Sequence, residues 1–219
     1  MTDSKELILK RIRSALKDSP GDKPVHQENV RRYRTHGNMK KEERIRLFID
    51  HVREYKARVT EVTEPELPEA ITKICNAENV KKLVVPPGID EKWLPGKESG
   101  ITLLSDMPEP LTHNDLDQSD AVLTGCFRAV AQTGTIVLNG EAGQGRRVLT
   151  LLPDLHICVV YSDQVVGIIP EAFWELEPVV RKKGVPVTFI SGPSATSDIE
   201  LDRVEGVHGP RRLHVLLFI

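Results

Sequence analysis

The sequence has few cysteines, and their spacing suits neither cross-links nor metal sites. Cys75, Cys126 and Cys158 are far apart, odd in number and without a C-x-x-C pair. This usage argues against a disulfide framework, and against a zinc or iron–sulfur site made by this chain alone. We therefore predict that all three are small apolar side chains of the core.

The sequence also lacks long apolar runs and an excess of charge. No run approaches the length of a bilayer span, and residues 1–6 lack the apolar core of a signal peptide. The net charge of the 219 residues is −2, which gives no overall basic field for nucleic acid. With 39% hydrophobic and 28% charged residues, the composition predicts a globular, cytoplasmic protein that binds neither membrane nor nucleic acid.

The glycine signatures of nucleotide binding are missing as well. The polar stretch at residues 139–147 contains Gly140, Gly143 and Gly145 and ends in Arg146 and Arg147. No Gly-Lys-Ser/Thr follows, and the spacing does not fit G-x-G-x-x-G. Because metal-ligand spacing is also absent, the sequence predicts no cofactor.

Two stretches with helical periodicity open the chain. Residues 3–17 predict an amphipathic helix, and residues 39–57 predict a second helix with Phe48, Ile49 and Val52 on one face. The polar residues 18–38 between them predict a loop or arm. We therefore assign residues 1–57 to an N-terminal helical arm and residues 58–219 to an α/β domain.

Short apolar runs alternate with helical stretches from Arg58 onwards. Strands are predicted at residues 57–62, 82–85, 101–104, 120–124 and 155–161, and helices at residues 66–78 and 170–183. In the last helix Phe173, Leu176, Val179 and Val180 should face inward, with Gly184 at its end. This alternation is typical of a largely parallel sheet covered by helices.

A turn at residues 133–135 follows in the second half of that sheet. It joins a strand that reaches Ala131 to a new strand at residues 136–138. Gly134 allows a tight turn or a close approach to a ligand, and Thr133 and Thr135 offer hydroxyls. The pattern fits a ligand-binding corner and, equally well, a plain hairpin whose threonines are satisfied locally.

A strand at residues 185–190 ends in the small residues 191–194, which expose backbone N–H groups. A helix that started near Thr196 or Ser197 would point its positive end into the same space, which suits an anion. Arg211 and Arg212 are close enough along the chain to assist. His156 opens the strand at 155–161, where a lone histidine is more often structural than catalytic.

Several of these stretches together resemble the LUD-domain family, in its lactate-utilisation protein C (LutC, YkgG) branch. The resemblance rests on AQTGTIVL at residues 131–138, the pair Arg146 and Arg147, LLPDLH at 151–156, SGPSATSDIE at 191–200 and GVHGPR at 206–211. Several motifs in the right order are a far more specific signal than any one alone.

The resemblance implies a fold and a role. The fold is similar to that of the NagB/RpiA/CoA-transferase superfamily, a three-layer α/β/α arrangement around a largely parallel sheet, here with an N-terminal helical extension. The implied role is that of an accessory component in an L-lactate oxidation system that converts lactate to pyruvate, with iron–sulfur proteins as partners. One departure is Gln132, where the family usually has an acidic residue. Gln132 cannot act as a carboxylate nucleophile, although it can still hydrogen-bond a substrate.

We expect residues 132–135, 191–198 and 206–212 to converge in one anion-binding pocket at the carboxyl edge of the sheet. His208 could move a proton, and Asp198 could either orient His208 or cap a helix after Ser194. The remaining ligand-binding candidates are Gln132, Thr133, Gly134, Thr135, Arg147, Ser191, Gly192, Ser194 and Arg211.

Several functions stay open. The first is the accessory subunit that binds an anionic small molecule and docks onto iron–sulfur partners. The second is a stand-alone enzyme acting on a CoA thioester or a sugar phosphate, and a weaker third is a ligand-sensing regulator. The amphipathic helix at residues 3–17 could pack on a second copy of the chain, which would form a homo-oligomer, or back on its own domain.

Overall fold

The structure is a computed structural model that describes residues 4–17, 33–197, 203–205 and 209–219. The chain divides into two compact units, Met1–Tyr33 and Arg34–Ile219. The first contains the predicted amphipathic helix, whose apolar residues Leu7, Ile8, Ile12 and Leu16 are exposed. Within the described residues, no helix is long and apolar enough to cross a membrane.

Most predicted elements are present, within a few residues of the expected bounds. The helices are α1 (Ser4–Leu16), α2 (Lys41–Glu54), α3 (Leu67–Ala77), α4 (His113–Asp117) and α5 (Ile169–Lys183). The strands are β1 (Arg58–Val62), β2 (Lys82–Val85), β3 (Thr102–Ser105), β4 (Ala121–Thr124), β5 (Arg128–Val130), β6 (Thr135–Leu138), β7 (Leu155–Tyr161), β8 (Val165–Val166), β9 (Thr188–Ile190), β10 (Ala195–Ser197), β11 (Arg203–Glu205) and β12 (Arg212–Phe218).

The large sheet has the strand order β1-β12-β7-β4-β2-β3, and each neighbouring pair is parallel. β7 and β12 are interior strands of this sheet, and their sequences are LHICVVY and RLHVLLF, respectively. Such nearly continuous apolar runs are typical of strands that are buried on both faces. The register of these two strands pairs Leu213 with His156, so the two side chains are neighbours on one face.

A second sheet has the order β8-β5-β6-β9. Its strands β5 and β6 are antiparallel, as are β6 and β9. Residues 128–138 were predicted to lie in the large sheet, and this prediction was wrong. A tight turn can join only antiparallel neighbours, whereas strands of a parallel sheet need longer crossover connections.

The layers are held together by separate apolar clusters. On one face of the large sheet, Ile71 of α3 packs in a cluster with residues of β2, β4 and β7. On the other face, Phe48 of α2, Ile136 of β6 and Val215 of β12 share one cluster. Helix α5 packs on the second sheet through Leu176. The α/β class, with a parallel sheet flanked by helices, is confirmed.

Helix α2 packs in the unit that begins at Arg34. Its residues Phe48, Ile49 and Val52 are buried in the cluster between the two sheets, as their spacing predicted. The sequence predicted that this helix belongs to an N-terminal arm, residues 1–57. The domain boundary after residue 57 stays a prediction.

Helix α5 buries a narrower stripe than its sequence suggested. Ala172 and Leu176 are buried, whereas Phe173 and Val180 are exposed, contrary to their predicted inward position. The helix covers a small sheet, so it needs only the narrow stripe that those two residues form. Phe173 instead stacks on Phe189 of β9, with ring centroids 5.4 Å apart.

The helix considered near Thr196 or Ser197 is not formed. Residues Ala195–Ser197 are strand β10, which pairs antiparallel with β11. A strand has no macrodipole comparable to that of a helix, so no positive helix end is available at this point.

Candidate functional site

A polar cavity of about 260 Å³ lies at the amino ends of β7 and β12, beside the end of β9. Its lining consists of Arg147, Thr150, His156, Thr188, Phe189, Ile190, Ser191, Gly192, Pro193, Ser194, Ala195, Gly209, Pro210 and Leu213. The expectation of a pocket at the carboxyl edge of the parallel sheet was therefore wrong. Because β9 belongs to the second sheet, its carboxyl end reaches the amino ends of β7 and β12 instead.

One wall of this cavity is the turn at residues 191–194. Gly192 has a φ of +80°, and a Cβ built on it would lie 2.5 Å from Cβ of Tyr55, so glycine is required for close packing behind the wall. The Ser194 N–H donates to Pro210 O over 2.8 Å and ties the turn to the segment before β12. That N–H is therefore not available to a ligand, contrary to the role we expected for it.

The turn at residues 133–135 is connected to this wall by hydroxyl groups. Thr133 Oγ1 lies 2.7 Å from Thr135 Oγ1, which lies 2.8 Å from Ser191 Oγ. A Cβ on Gly134 would lie 2.8 Å from the His51 carbonyl carbon, so this glycine allows close packing beneath α2. Gln132 is exposed, and its N–H donates to Gly167 O. The turn is a β-hairpin that borders the cavity through Ser191 and does not line it.

Arg147 gives the cavity its positive charge. It begins the short helical turn Arg147–Thr150, is exposed, and forms no ion pair with any described residue. It also lines an adjoining cavity of about 210 Å³ at the end of β6. None of the described residues that line the two cavities is an aspartate or glutamate. An anion at Arg147 would therefore meet a guanidinium for which no described residue of the lining offers a competing carboxylate.

The neighbouring Arg146 serves a different purpose. Its Nε and Nη2 donate to the two carboxylate oxygens of Asp106 over 2.9 and 2.8 Å. Burial raises the pKa of the Asp106 carboxyl, but the hydrogen bonds from Arg146 and from the Leu111 N–H, together with the charge of Arg146, outweigh burial and lower the pKa. Arg146 thus anchors the loop before the helical turn, whereas Arg147 has no ion-pair partner in the described part of the chain.

His156 forms part of the cavity floor, although sequence analysis interpreted it as structural. Only 1% of the residue is exposed, and it neighbours Leu213, which also lines the cavity. Its Nε2 lies 2.7 Å from Thr124 Oγ1. The signal in the sequence was the position of His156 near the start of a buried strand. A residue at that position lies at the end of the strand, where the cavity is.

Two thiols lie behind the cavity floor. Cys126 and Cys158 are buried and free, as is Cys75, so the predicted core position of all three cysteines is confirmed. The hydrogen bond to Cys158, followed by burial, raises the pKa of Cys126. Burial also raises the pKa of Cys158, but hydrogen bonds from Cys126 and His156 outweigh it and lower the pKa. The described residues contain no group of His, Cys, Asp and Glu that could hold a metal ion.

The third predicted segment is only partly described. Gly209 and Pro210 line the cavity, whereas Arg211 does not; its Nε lies 3.7 Å from Asp154 Oδ1 on the exposed surface. Asp198 and His208, the predicted catalytic residues, lie outside the described residues. The structure therefore brings Arg147, Ser191, Gly192 and Ser194 together around one cavity and places Gln132, Thr133, Gly134, Thr135 and Arg211 outside its lining.

Comparison with known proteins gives a consistent picture. The family described as LUD domain matches residues 45–218. A protein named Lactate utilization protein C from Deinococcus radiodurans is 51% identical over 170 residues, which cover 78% of this chain and 77% of that protein. Another protein of that name, from Bacillus pumilus, is 28% identical over 232 residues and 97% of this chain, with 95% of its own length covered.

A solved structure shares the fold. It is a crystal structure of a DUF162 family protein from Deinococcus radiodurans, and it is 41% identical to this chain. The TM-score is 0.71, with 83% of this chain and 99% of that chain covered.

Proposed function

The chain belongs to the LUD-domain family, and from this premise we propose that it acts in L-lactate utilisation and binds a small anionic ligand beside Arg147. The names of its relatives support the first half of the proposal. The observation that carries the second half is that Arg147 has no ion-pair partner and the two cavities no carboxylate among the residues that the structure describes. A guanidinium in such a cavity favours a carboxylate or a phosphate, which it can bind in bidentate fashion.

We further propose that the chain is an accessory component whose partners are the iron–sulfur proteins of a lactate oxidation system. An iron–sulfur cluster in one chain needs several cysteine thiolates in one place. Cys75 is buried in the cluster on one face of the large sheet, whereas Cys126 and Cys158 are buried in the cluster on the other. These three cysteines cannot reach a common cluster, so electron transfer is assigned to partner proteins.

The alternative is a stand-alone enzyme that acts on a CoA thioester or a sugar phosphate. In the CoA-transferases that the fold resembles, the covalent intermediate forms on a carboxylate nucleophile. The described residues of the cavity lining include no carboxylate, and Gln132 is exposed outside the lining. Turnover of acetyl-CoA or ribose 5-phosphate by the purified chain would reverse this ranking.

Growth on lactate tests the proposed role. In the organism that carries this chain, deletion of its gene should abolish growth on L-lactate and leave growth on glucose unchanged. The wild-type gene should restore growth, and so should Arg181→Met, which alters an exposed arginine paired with Glu177 on α5. Arg147→Met should not restore it. Normal growth of the deletion strain on L-lactate would refute the role.

A further inference from the structure

Helix α1 and the adjoining Lys17 carry much more positive charge than the chain as a whole. Residues 4–17 include five basic residues and one acidic residue, a net charge of +4, whereas the net charge of all 219 residues is −2. The basic residues are Lys5, Lys10, Arg11, Arg13 and Lys17, and the acidic residue is Glu6. A helix with this excess is attracted to negatively charged partners.

Most of the apolar side chains of α1 lie on one side of the helix. At about 100° per residue, an apolar arc of about 120° around the helix axis contains Ile8, Leu9, Ile12, Ala15 and Leu16. The four large side chains of this arc are between 37% and 62% exposed, and among the described residues of this unit none is buried. An arc of this width is typical of a helix with one side in an apolar environment, and it is wider than a coiled-coil seam.

Arginines border the apolar arc on both sides. The same helical geometry places Arg11 about 40° beyond Ala15, at one border of the arc. Arg13 lies about 40° beyond Leu9, at the other border. Lys5 falls within the arc, but it lies in the first turn, where its long side chain can extend its ammonium group to water. Such an arrangement suits the boundary between an apolar layer and a layer of negative charge.

A lipid surface fits these features better than a second copy of α1. If two copies packed arc to arc, their positively charged borders would meet in either orientation and repel each other. An anionic lipid surface instead offers an apolar layer for the arc and phosphate groups for the arginines. The 13 residues of α1 span about 20 Å, so the helix would lie along the surface and would not cross the bilayer.

We propose that α1 binds anionic lipid membranes, with the apolar arc directed toward the acyl chains and with Arg11 and Arg13 at the phosphate groups. This differs from the prediction that the chain binds no membrane. That prediction depended on the absence of a long apolar run and on the net charge of the whole chain, and neither excludes a short basic helix that lies on a bilayer. The proposal is independent of the anion proposed beside Arg147.

Vesicle flotation of the full chain tests the proposal. Vesicles of phosphatidylcholine alone are compared with anionic vesicles, which contain equal parts of phosphatidylcholine and phosphatidylglycerol. The chain should bind the anionic vesicles at least about tenfold more tightly. Raising the salt from about 0.1 M to about 1 M should weaken this binding because the charges are then screened. Equal binding to both kinds of vesicle would overturn the proposal, and no binding to the anionic vesicles would overturn it in favour of an acidic protein partner.

Two matched substitutions on α1 test the apolar arc. Ile12 lies at the centre of the arc, whereas Leu7 is also exposed but lies outside it, about 80° beyond Ala15. Ile12→Gln should weaken binding to the anionic vesicles about tenfold because it removes apolar surface that the bilayer buries. Leu7→Gln should have a much smaller effect. Equal effects of the two substitutions would overturn the proposal.

Two double substitutions test the arginines at the borders. Arg11→Gln with Arg13→Gln should weaken binding to the anionic vesicles about tenfold. Arg181→Gln with Lys182→Gln removes the same charge from the exposed end of α5 and is the control, which should bind like the wild type. Equal losses in the two double variants would show a general attraction of positive charge and would overturn the proposal.

Other occupants of the apolar arc would give different results in the absence of vesicles. If the arc packed on the chain's own second unit, Ile12→Gln would lower the melting temperature. If it packed on a second copy, sedimentation velocity would show a dimer that Ile12→Gln dissociates. Either result would overturn the proposal. An unchanged melting temperature and an unchanged sedimentation coefficient, together with weaker binding of Ile12→Gln to the anionic vesicles, would support it.

Discussion

At the scale of single residues, the positive charge of the cavity comes from Arg147. Arg147 and Arg211 were both predicted to bind the ligand, but Arg211 lies outside the cavity lining, next to Asp154. His156, which the sequence predicted to be structural, lines the cavity and lies against Thr124, which is 32 residues away in sequence. Contacts between neighbouring parallel strands depend on register, which one sequence does not specify.

His214 makes stability depend on pH. Burial, followed by the nearby Arg58, lowers the pKa of this imidazole from 6.5 to about 4, and its Nε2 lies 2.9 Å from Thr60 Oγ1. Between these two values the unfolded chain binds a proton that the native chain does not, so stability falls as the pH falls through this range. Below about pH 4 this contribution is constant.

Thermal unfolding of wild type and His214→Gln at pH 7 and at about pH 5 measures this effect. Glutamine can hydrogen-bond Thr60 but does not titrate, so the variant should lose less stability than the wild type between the two values. Equal losses in both proteins would contradict the assignment to His214.

Gly192 should tolerate alanine less well than another glycine with positive φ. Both Gly192 and Gly184 are in the left-handed region, where alanine costs about 1 kcal/mol. A Cβ at Gly184 has nothing within 4 Å, whereas one at Gly192 would collide with Tyr55. In urea unfolding, Gly192→Ala should be clearly more destabilising than Gly184→Ala. Equal losses would mean that Tyr55 does not pack against the cavity wall as described.

At the scale of elements, helices and buried strands were predictable because their periodicity is local. The inward face of α2 and the runs of β7 and β12 could be identified from spacing alone. The division into two sheets could not, because the short hydrophobic strands β5 and β6 read the same in either sheet. The tight turn between them predicts that β5 and β6 are antiparallel neighbours. It does not show which other strands they pair with.

A pair of phenylalanines tests how α2 is packed. Phe48 is fully buried between the two sheets, whereas Phe173 on α5 is 54% exposed. Phe48→Ala should lower the free energy of unfolding by about 3–5 kcal/mol because it leaves a cavity in the core. Phe173→Ala should have a much smaller effect, since it removes mainly a surface contact. Similar losses for both variants in urea unfolding would contradict the packing of α2.

At the scale of the whole molecule, the chain divides into two compact units after Tyr33. The periodicity of the sequence predicted a boundary after residue 57 instead. Sequence patterns marked where the strand-rich part begins. They did not show that the helix before it completes the core, because burial of a helical face is decided by its partners.

Two truncated chains distinguish these boundaries. A chain that starts at Arg34 keeps α2 and should unfold cooperatively. A chain that starts at Arg58 lacks Phe48, Ile49 and Val52, which are buried in the core of the second unit, and should lose cooperative unfolding. Circular dichroism melts measure both. A stable, cooperative chain from residue 58 onwards would support the predicted arm and refute the role of α2 in the core.

The most direct test of the account is a crystal structure of the full chain grown with L-lactate or pyruvate. We predict electron density for one acid in the cavity, with its carboxylate on the Arg147 guanidinium. A well-ordered cavity that holds only water, or an acid bound elsewhere on the molecule, would contradict the central claim that this cavity is the anion site.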